Sequence, residues 1–519
     1  MLNGSGVRSL AFARSEWVCR PAFAHVFLPR CLHQPAASAS PLSLSPPCGL
    51  VDIIFYINTI IRMELKNIDV FEKDPVHKAV LKLALPTVLS MIVSVFYNMV
   101  DTFFVGKTND PNQVAAVSVA TPVFLFLMAA GNIFGIGGSS FLSRALGEKQ
   151  YDKAKRISAF CFYAGIATGV IGGALMELFM APILRAVGTS ENTFGFARTY
   201  LTCIALGGPA IVVSTAFTNL IRGEGAAKSS MTGMMAGTVA NIVLDPVFIL
   251  DRFLGIPCLG WGVGGAALAT VVGNLVSIAV YLAHVCSPRA HSVLTIQPRW
   301  FSVRGGILRG VLLIGLPASI TNILMSLSNI VMNKLLVGYG DVAVAGMGIA
   351  MKANMLVIFV QLGLGMGIQP LVGYNYGAAN FKRLKAVIRF AILCVVSAGL
   401  ALTAVYFVCT RSIISVFIKN GDVIDMGVLM LRALMLSSPF IGIMFVFNFA
   451  FQAMGKALAS LMLAVSRQGF IFLPMILLLR ALFGLNGVIL AQPIADLCAV
   501  LMAAGMFLYM NRRQLVSGM

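Results

Sequence analysis

The sequence is poor in charge, and poorer still in acidic residues. Only 11% of its residues are Asp, Glu, Lys or Arg, whereas 58% are hydrophobic. A water-soluble chain of this length needs far more polar surface, so its composition excludes the soluble globular class. The acidic residues are so few that the net charge is +19.

The chain also lacks the spacings of a disulfide framework, a metal site or a catalytic centre. Its ten cysteines are scattered, and several lie inside apolar runs, such as Cys161, Cys203, Cys394 and Cys498. The five histidines have no ligand spacing. We find no Ser–His arrangement and no phosphate-binding loop, so neither an enzyme nor a resident cofactor is expected.

Long apolar runs dominate the chain instead. Each is roughly twenty residues or longer, which is enough to cross a bilayer as a helix. They lie at 79–106, 112–141, 156–184, 196–221, 229–253, 261–286, 306–338, 341–373, 386–410, 423–451, 457–482 and 486–510. Barrel strands would be short and alternating, and these runs are not. We therefore predict an all-α integral membrane protein with about twelve transmembrane helices.

Basic residues are distributed unevenly among the connections between these runs. The rich connections carry Lys149, Lys153, Lys155, Arg156, Arg222, Lys228, Arg289, Arg299, Arg304, Arg309, Lys382, Arg383, Lys385, Arg389, Lys456, Arg512 and Arg513. The alternate connections carry few. Because basic loops stay on the cytoplasmic side, both termini are expected inside, which requires an even number of spans. No basic run is interleaved with stacking aromatics outside a membrane flank, so no nucleic-acid partner is expected.

Residues 1–62 differ from the rest, being rich in Pro, Ser and Cys. Their apolar stretch 51–61 is too short to span a membrane. No small-residue cleavage pattern follows it. We interpret this segment as an over-extended reading frame or a disordered extension, with synthesis beginning at Met63.

The remainder of the chain repeats itself at a spacing of about 230 residues, which indicates two related halves. Leu85-Pro86 recurs as Leu316-Pro317. Gly135, Gly137 and Gly147 recur as Gly365, Gly367 and Gly377. Six helices per half make the halves parallel, related by an axis along the membrane normal. The predicted organisation is an N-terminal lobe at 63–286, a cytoplasmic loop at 287–305, a C-terminal lobe at 306–511 and a tail at 512–519.

Several local motifs resemble one transporter family. They are Asn98-Met-Val-Asp101-Thr-Phe-Phe-Val-Gly106, Arg144-Ala-Leu-Gly147, Arg222-Gly-Glu-Gly225, Asn241-Ile-Val-Leu-Asp245-Pro246 and Gly264-Gly-Ala-Ala-Leu-Ala-Thr270. In this order and spacing, from about residue 70 to 511, the chain resembles the multidrug and toxic compound extrusion (MATE) family. The opening Phe71-Glu-Lys-Asp-Pro75 is similar to its MepA-like branch.

The resemblance implies two six-helix lobes around a V-shaped cleft in a cytoplasmic or inner membrane. It implies secondary active export of small amphipathic or cationic organic compounds against H⁺ or Na⁺. A monomer is expected. The alternative is a flippase of the same superfamily for lipid-linked or oligosaccharide substrates. A flippase would carry a strongly charged cavity, and the few intramembrane basic residues count against it.

Two carboxylates in the predicted spans stand out physically. Burying the charge of Asp101 or Asp245 costs about 2.5–3.5 kcal/mol on insertion scales, and such a cost normally marks function. Asn98 and Asn241 each share a helix face with the carboxylate that follows. Carboxylate and carbonyl oxygens are ligands of hard cations, so these groups could hold a proton or a sodium ion. Alternatively, Asp101 sits at the outer interface and Asp245 satisfies the backbone at a proline kink.

The resemblance assigns the cation role to Asp101, Asp245 and Asn241, with Asn219 and Thr270 as further members, and with Asp101, Asn241 and Asp245 as the possible Na⁺ ligands. Some members of the family also carry acidic residues in the seventh and tenth spans, which are absent from this sequence. Coupling through the C-terminal lobe is therefore not expected. Asp496 is interpreted as a structural partner and Lys352 as interfacial.

The substrate cleft is predicted less directly. By resemblance, Phe96, Asn132, Gln361 and Asn448 mark helices that face it. Soft walls with few fixed hydrogen bonds suit broad recognition of amphipathic cations. Glycines recur in the second and eighth spans, at Gly131, Gly135, Gly137, Gly138, Gly363, Gly365 and Gly367. They permit either close helix packing or bending during gating.

Overall fold

A computed structural model describes residues 69–108, 110–253 and 255–516. The interpretation of residues 1–62 falls outside this range. The helices are α1 (Asp69–Glu72), α2 (Val76–Gly106), α3 (Pro111–Gly147), α4 (Tyr151–Leu178), α5 (Met180–Ala186), α6 (Glu191–Leu206), α7 (Gly208–Gly223), α8 (Ala227–Ile249), α9 (Gly262–Cys286), α10 (Ile307–Val337), α11 (Asp341–Gly377), α12 (Phe381–Phe417), α13 (Gly421–Met435), α14 (Ser438–Ala453), α15 (Ala457–Val465) and α16 (Phe472–Val516). A short β-hairpin joins α8 to α9. Its two antiparallel strands, β1 (Arg252–Phe253) and β2 (Ile256–Pro257), have two residues each.

These helices account for the predicted crossings. Within the described residues, eight helical stretches are long and apolar enough to span a membrane, or ten when each of two bent pairs counts as one span. One stretch, Ala457–Tyr509, is 53 residues long and contains a non-helical residue, Gly484. At 1.5 Å per residue it would measure about 80 Å as one straight helix, far more than one bilayer. Divided at Gly484, and with α10 added, the set supplies the twelve predicted helices.

Two of the spans predicted as continuous are bent in the structure. α6 and α7 meet at 58°, and α13 and α14 meet at 48°. Pro209 and Pro439 lie in the first turn after each bend, and neither can donate to the carbonyl four residues earlier. The freed carbonyl of Met435 accepts from the Thr403 hydroxyl at 3.4 Å, whereas that of Ala205 lies against Gly173. Sequence periodicity missed these bends because both halves of each pair are apolar.

The turns confirm the internal repeat. Lys149 and Ala379 follow α3 and α11, and both have a positive φ, at 59° and 53°. Gly225 and Gly455 follow α7 and α14 with φ of 95° and 75°, a conformation that glycine adopts without strain. Equivalent positions in the two halves therefore take the same backbone conformation.

The halves pack crosswise. The first helix of each half packs mainly on the second helix of the other, α2 on α11 and α10 on α3. A methyl group at Gly367 would overlap the Cα of Ala84, and one at Gly137 would overlap the backbone oxygen of Val311. The glycines predicted to permit close approach thus do so. Gly137 and Gly147 contact the other half, as do their equivalents Gly367 and Gly377, whereas Gly135 and Gly365 contact helices of their own half.

Burial shows where the halves close on each other. Every residue of 134–140 in α3 and of 365–375 in α11 is buried. The opposite ends of these helices, and the second half of α2, carry exposed apolar side chains such as Phe96, Phe103 and Phe126. The closed end leads into the basic turns at Lys149 and Lys382.

The connection between the halves lies against the N-terminal half. It runs from Ser287 to Gly306 and contains two short 3₁₀ turns, Pro288–Ala290 and Pro298–Trp300. Glu224 accepts hydrogen bonds from the Ser292 hydroxyl at 2.8 Å and from the Val293 amide at 3.1 Å. His284 Nε2 lies 2.9 Å from the same carboxylate. These contacts hold the predicted loop against the ends of α7 and α9.

Candidate functional site

Asp245 is the most unusual polar residue of the N-terminal half. It lies near the end of α8, directly before Pro246, and it is fully buried. Neither of its carboxylate oxygens has a hydrogen-bond partner among the described residues, and the side-chain oxygen of Asn241 has none either. Asn241 precedes Asp245 by one helical turn, so three oxygens without donors lie on one face of α8.

Thr270 connects this face to two other helices. Its hydroxyl in α9 lies 3.4 Å from the Asn241 amide nitrogen and 3.4 Å from the Tyr97 hydroxyl in α2. The same hydroxyl donates to the Ala266 carbonyl at 3.1 Å. The close packing of α9 on α8 arises from small residues, because Gly273 lies against the backbone of Gly237. Helices α2, α8 and α9 therefore converge at Asn241.

Asp101 faces the same region from α2. It is half-buried and lies within electrostatic range of Asp245. Tyr97 and Tyr200 lie within range of both carboxyl groups. The structure therefore brings the two predicted aspartates together with Asn241 and Thr270. We call this set the aspartate cluster: Tyr97, Asp101, Tyr200, Asn241, Asp245 and Thr270.

Two members of the aspartate cluster were missed at the sequence level. Tyr97 precedes Asp101 by four residues, which places both on one face of α2, so helical spacing could have found it. Tyr200 lies in α6, in another part of the sequence, and no local pattern ties it to either aspartate. Only the packing of α6 against α9 and α3 brings it near.

Two other predicted coupling residues, Asn98 and Asn219, form their hydrogen bonds outside the aspartate cluster. Asn98 is exposed, and its amide donates to the Ser94 carbonyl within α2 at 2.7 Å. Asn219 is buried, but its amide donates to the Thr215 carbonyl at 2.9 Å and its oxygen accepts from Arg222. Both side chains are thus occupied by neighbours on their own helices.

The four predicted cleft residues fall into two groups. Phe96 is 57% exposed and Asn132 is half-buried, both on helices of the N-terminal half. Gln361 is fully buried and donates to the Ser438 carbonyl at 3.0 Å. Asn448 is buried and accepts from the Ser460 hydroxyl at 2.7 Å. The latter two therefore lie inside the C-terminal half.

Asp496 has the partner expected for a structural role. Its carboxylate accepts from Arg467 Nε at 2.8 Å, from Gln492 at 2.9 Å and from the Ser437 hydroxyl at 3.0 Å. Arg467 sits in a π-helical turn, Ser466–Phe470, and its guanidinium lies over the Phe445 ring. Sequence reasoning missed Arg467. Lys352, in contrast, is exposed on α11.

A buried carboxylate without donors needs either a proton or a cation. Leaving it ionised and unpaired in an apolar interior is strongly unfavourable. The oxygens of Asp245 and Asn241, with Asp101 nearby, form an oxygen-only set that suits a hard cation such as Na⁺. Within the described ranges, no three His, Cys, Asp or Glu side chains gather as a metal cluster.

Two parallel, pseudo-symmetric six-helix lobes with an intramembrane acidic site define a multi-pass membrane transporter. A model of the MatE family matches residues 86–247 and again 317–478, one match per lobe. The chain belongs to this MATE transporter family.

Characterised relatives agree with this assignment. The chain is 32% identical to the multidrug export protein MepA of Staphylococcus aureus strain MSSA476 over 446 residues, covering 86% of this chain and 96% of that protein. It is 31% identical to MepA of Staphylococcus saprophyticus with the same coverage.

Solved structures share the fold. An outward-facing multidrug resistance MATE transporter of the MOP superfamily superposes with a TM-score of 0.80 at 25% identity, covering 87% of this chain and 98% of that one. A MATE protein in complex with MaL6 gives 0.80 at 26% identity, with coverages of 86% and 98%. A MOP superfamily transporter from Pyrococcus furiosus, described as having a binding pocket of reversed polarity, gives 0.79 at 25% identity, with coverages of 87% and 98%.

Proposed function

We propose that this chain exports small amphipathic or cationic organic compounds in exchange for H⁺ or Na⁺, which bind at the aspartate cluster. The single observation that carries the proposal is the fully buried Asp245 carboxylate, whose two oxygens lack hydrogen-bond donors among the described residues. The multidrug export relatives support the substrate class.

The crosswise packing supports a mechanism of alternating access. A cation at Asp245 would change the electrostatics between α2, α8 and α9, and α2 is also the helix that packs on α11 of the other lobe. Ion binding and the contact between the lobes therefore share one helix. This gives a physical route from cation occupancy to opening and closing.

The orientation in the membrane belongs to the same proposal. The closed end of the lobes carries Lys149, Lys153, Lys382 and Lys385, and basic connections stay on the cytoplasmic side. Both termini are then cytoplasmic, and the lobes are closed towards the cytoplasm and open outward. The outward-facing MATE neighbour supports this orientation.

The test is ethidium efflux from proteoliposomes under an imposed proton or sodium gradient. Asp245→Asn removes the charge with little change in shape and should abolish gradient-driven efflux. Asp251→Asn is the matched control, because Asp251 is exposed just after α8. If the wild type exports the dye and Asp245→Asn does so equally well, the coupling site lies elsewhere.

A flippase for lipid-linked or oligosaccharide substrates is the second candidate. It is favoured by one observation, the exposed Lys352 in the first half of α11, which could contact an anionic headgroup. The same liposomes separate the two functions: movement of a fluorescent lipid-linked phosphate without dye export under either gradient would support the flippase.

A further inference from the structure

The connection between the lobes, residues 287–306, is held against α4 by hydrogen bonds. The Ser158 hydroxyl donates to the Thr295 carbonyl at 3.1 Å and accepts from the Thr295 amide at 3.2 Å. The Tyr163 hydroxyl donates to the Ile296 carbonyl at 2.8 Å. These bonds, with those of Glu224, fix the loop before it reaches Trp300.

A shallow cavity of about 520 Å³, open along much of its surface, lies where this connection meets the start of α4. It is lined by Arg156, Arg299, Trp300, Phe301 and Ser302. We call it the linker cavity. Lys155 Nζ lies over the Trp300 ring at 4.8 Å, and the Arg299 guanidinium lies over the same ring at 5.9 Å. Two cationic side chains thus lie over one indole ring, and a third, Arg156, lines the same cavity.

The positive charge of the linker cavity is poorly compensated. Lys155 lies 3.6 Å from the exposed Asp152, but within the described part of the chain neither Arg156 nor Arg299 forms an ion pair. The sequence contains no Asp or Glu between Asp251 and Asp341. The two arginines therefore retain their capacity to bind an anion, and guanidinium groups bind phosphate oxygens through paired donors.

Apolar side chains beside the cavity place it at the membrane surface. Phe301 stacks on Phe160 at 6.3 Å and meets Tyr163 edge-on at 5.7 Å. Phe301 is nonetheless 44% exposed, and Val303 is 46% exposed. Tryptophan beside exposed apolar residues is typical of the boundary between headgroups and hydrocarbon. A soluble anion would use the arginines alone, whereas a lipid would also cover Phe301 and Val303.

We propose that the linker cavity binds the phosphate headgroup of an anionic phospholipid, with its acyl chains against Phe301 and Val303. Basic pockets at this membrane face bind such headgroups. The second half has no copy of the site, because the position equivalent to Arg156 is Ala386. One lipid would therefore bind on the N-terminal lobe, against the segment that leads into α10. This proposal rests on the proposed orientation, which places the connection at the cytoplasmic face, and not on the transported substrate or on the coupling ion.

The test measures quenching of Trp300 fluorescence by brominated lipids in the full chain carrying Trp17→Phe and Trp261→Phe. Brominated phosphatidylglycerol should quench Trp300 saturably, and brominated phosphatidylcholine should not. Removing both arginines with Arg156→Gln and Arg299→Gln should weaken binding by roughly fivefold per arginine.

The control is the double variant Lys149→Gln and Lys382→Gln, which removes two exposed charges from the turns at the same end of the molecule. It should bind phosphatidylglycerol as the parent does. The proposal is overturned if the arginine variant binds equally well, if phosphatidylcholine quenches to the same extent, or if millimolar inorganic phosphate displaces the lipid. Native mass spectrometry provides the stoichiometry independently, with one retained lipid expected.

Discussion

The Tyr374 hydroxyl donates a 2.6 Å hydrogen bond to the Glu72 carboxylate, which ties the segment before α2 to the end of α11 in the other lobe. The Tyr374 ring also stacks on Phe71 at 4.8 Å, and Arg383 donates to the Asp74 carbonyl at 2.6 Å. Residues 71–74, at the end of α1 and just after it, therefore connect the two lobes at their closed end, and we call these contacts the clasp.

Tyr374→Phe should loosen this clasp without disturbing the ring stack. A hydrogen bond to a charged acceptor contributes about 1.5–3 kcal/mol, so the closed arrangement should lose population. Spin labels at Lys149 and Ala379, the turns that end α3 and α11, should then report longer distances. Tyr339→Phe is the control, since Tyr339 is 37% exposed on the turn between α10 and α11. An unchanged distance distribution would argue against the clasp.

Gly367→Ala tests the close packing of α11 on α2. The new methyl group would overlap the Cα of Ala84, and overpacking of this kind costs about 1–3 kcal/mol. Gly348→Ala in the same helix is the control, because nothing lies within 4 Å of the added methyl there. Thermal unfolding should show a lower Tm for Gly367→Ala only. A Tm as high as that of the parent would mean that the lobes can separate there at little cost.

Asp496→Asn should strongly destabilise the C-terminal lobe. It leaves the Arg467 guanidinium buried without a counter-charge, and breaking a buried pair costs about 3–5 kcal/mol. Asp425→Asn is the control, because Asp425 forms a pair of similar length, 2.9 Å, with Arg411 but is largely exposed. Exposed pairs contribute little, so its Tm should not change.

Replacing Arg467 as well should recover part of that loss. The double variant Arg467→Met and Asp496→Leu removes both charges, and apolar replacements of buried pairs are often neutral. If the Tm of the double variant is no higher than that of Asp496→Asn, the hydrogen bonds of Gln492 and Ser437, rather than charge pairing, stabilise this region.

Glu224→Ala should release the linker from the N-terminal lobe. The change removes the acceptor for Ser292 and Val293, and it leaves His284 without its carboxylate. Limited trypsin digestion should then cut faster at Arg299 and Arg304. Ser302→Ala is the control, because Ser302 caps only the local Arg304 amide, at 3.2 Å. Equal cleavage rates would show that Ser158 and Tyr163 alone hold the linker.

Much of the fold was predictable because a bilayer imposes a simple rule on sequence. An apolar run of sufficient length must be helical, since the lipid offers no partner for backbone polar groups. The repeat was predictable for a second reason: equivalent glycines occur where two backbones touch. Gly137 and Gly367 carried that signal, and both lie at contacts between the lobes.

The bends between α6 and α7 and between α13 and α14 were harder to predict from the sequence. Gly207-Gly208-Pro209 and Ser437-Ser438-Pro439 each carry a proline signal, but hydropathy is continuous across them. The pairing of Arg467 with Asp496 was hidden as well, because 29 residues and a change of helix separate them. The positions of the Gln361 and Asn448 side chains were not predictable either. A helix that borders a cleft also has a face towards its own lobe, and both side chains lie on that face.

Composition, run length and residue spacing are properties of the chain alone. They were enough to predict a membrane environment, twelve membrane-spanning helices, two parallel halves and the two aspartates of interest. Which polar groups lie near one another depends on the packing of the helices. Tyr200 joins Asp101 and Asp245, while Asn98 and Asn219 bond within their own helices. Contacts between helices depend on how each helix is rotated and packed, and that is fixed by the whole set of close small-residue contacts rather than by any local stretch.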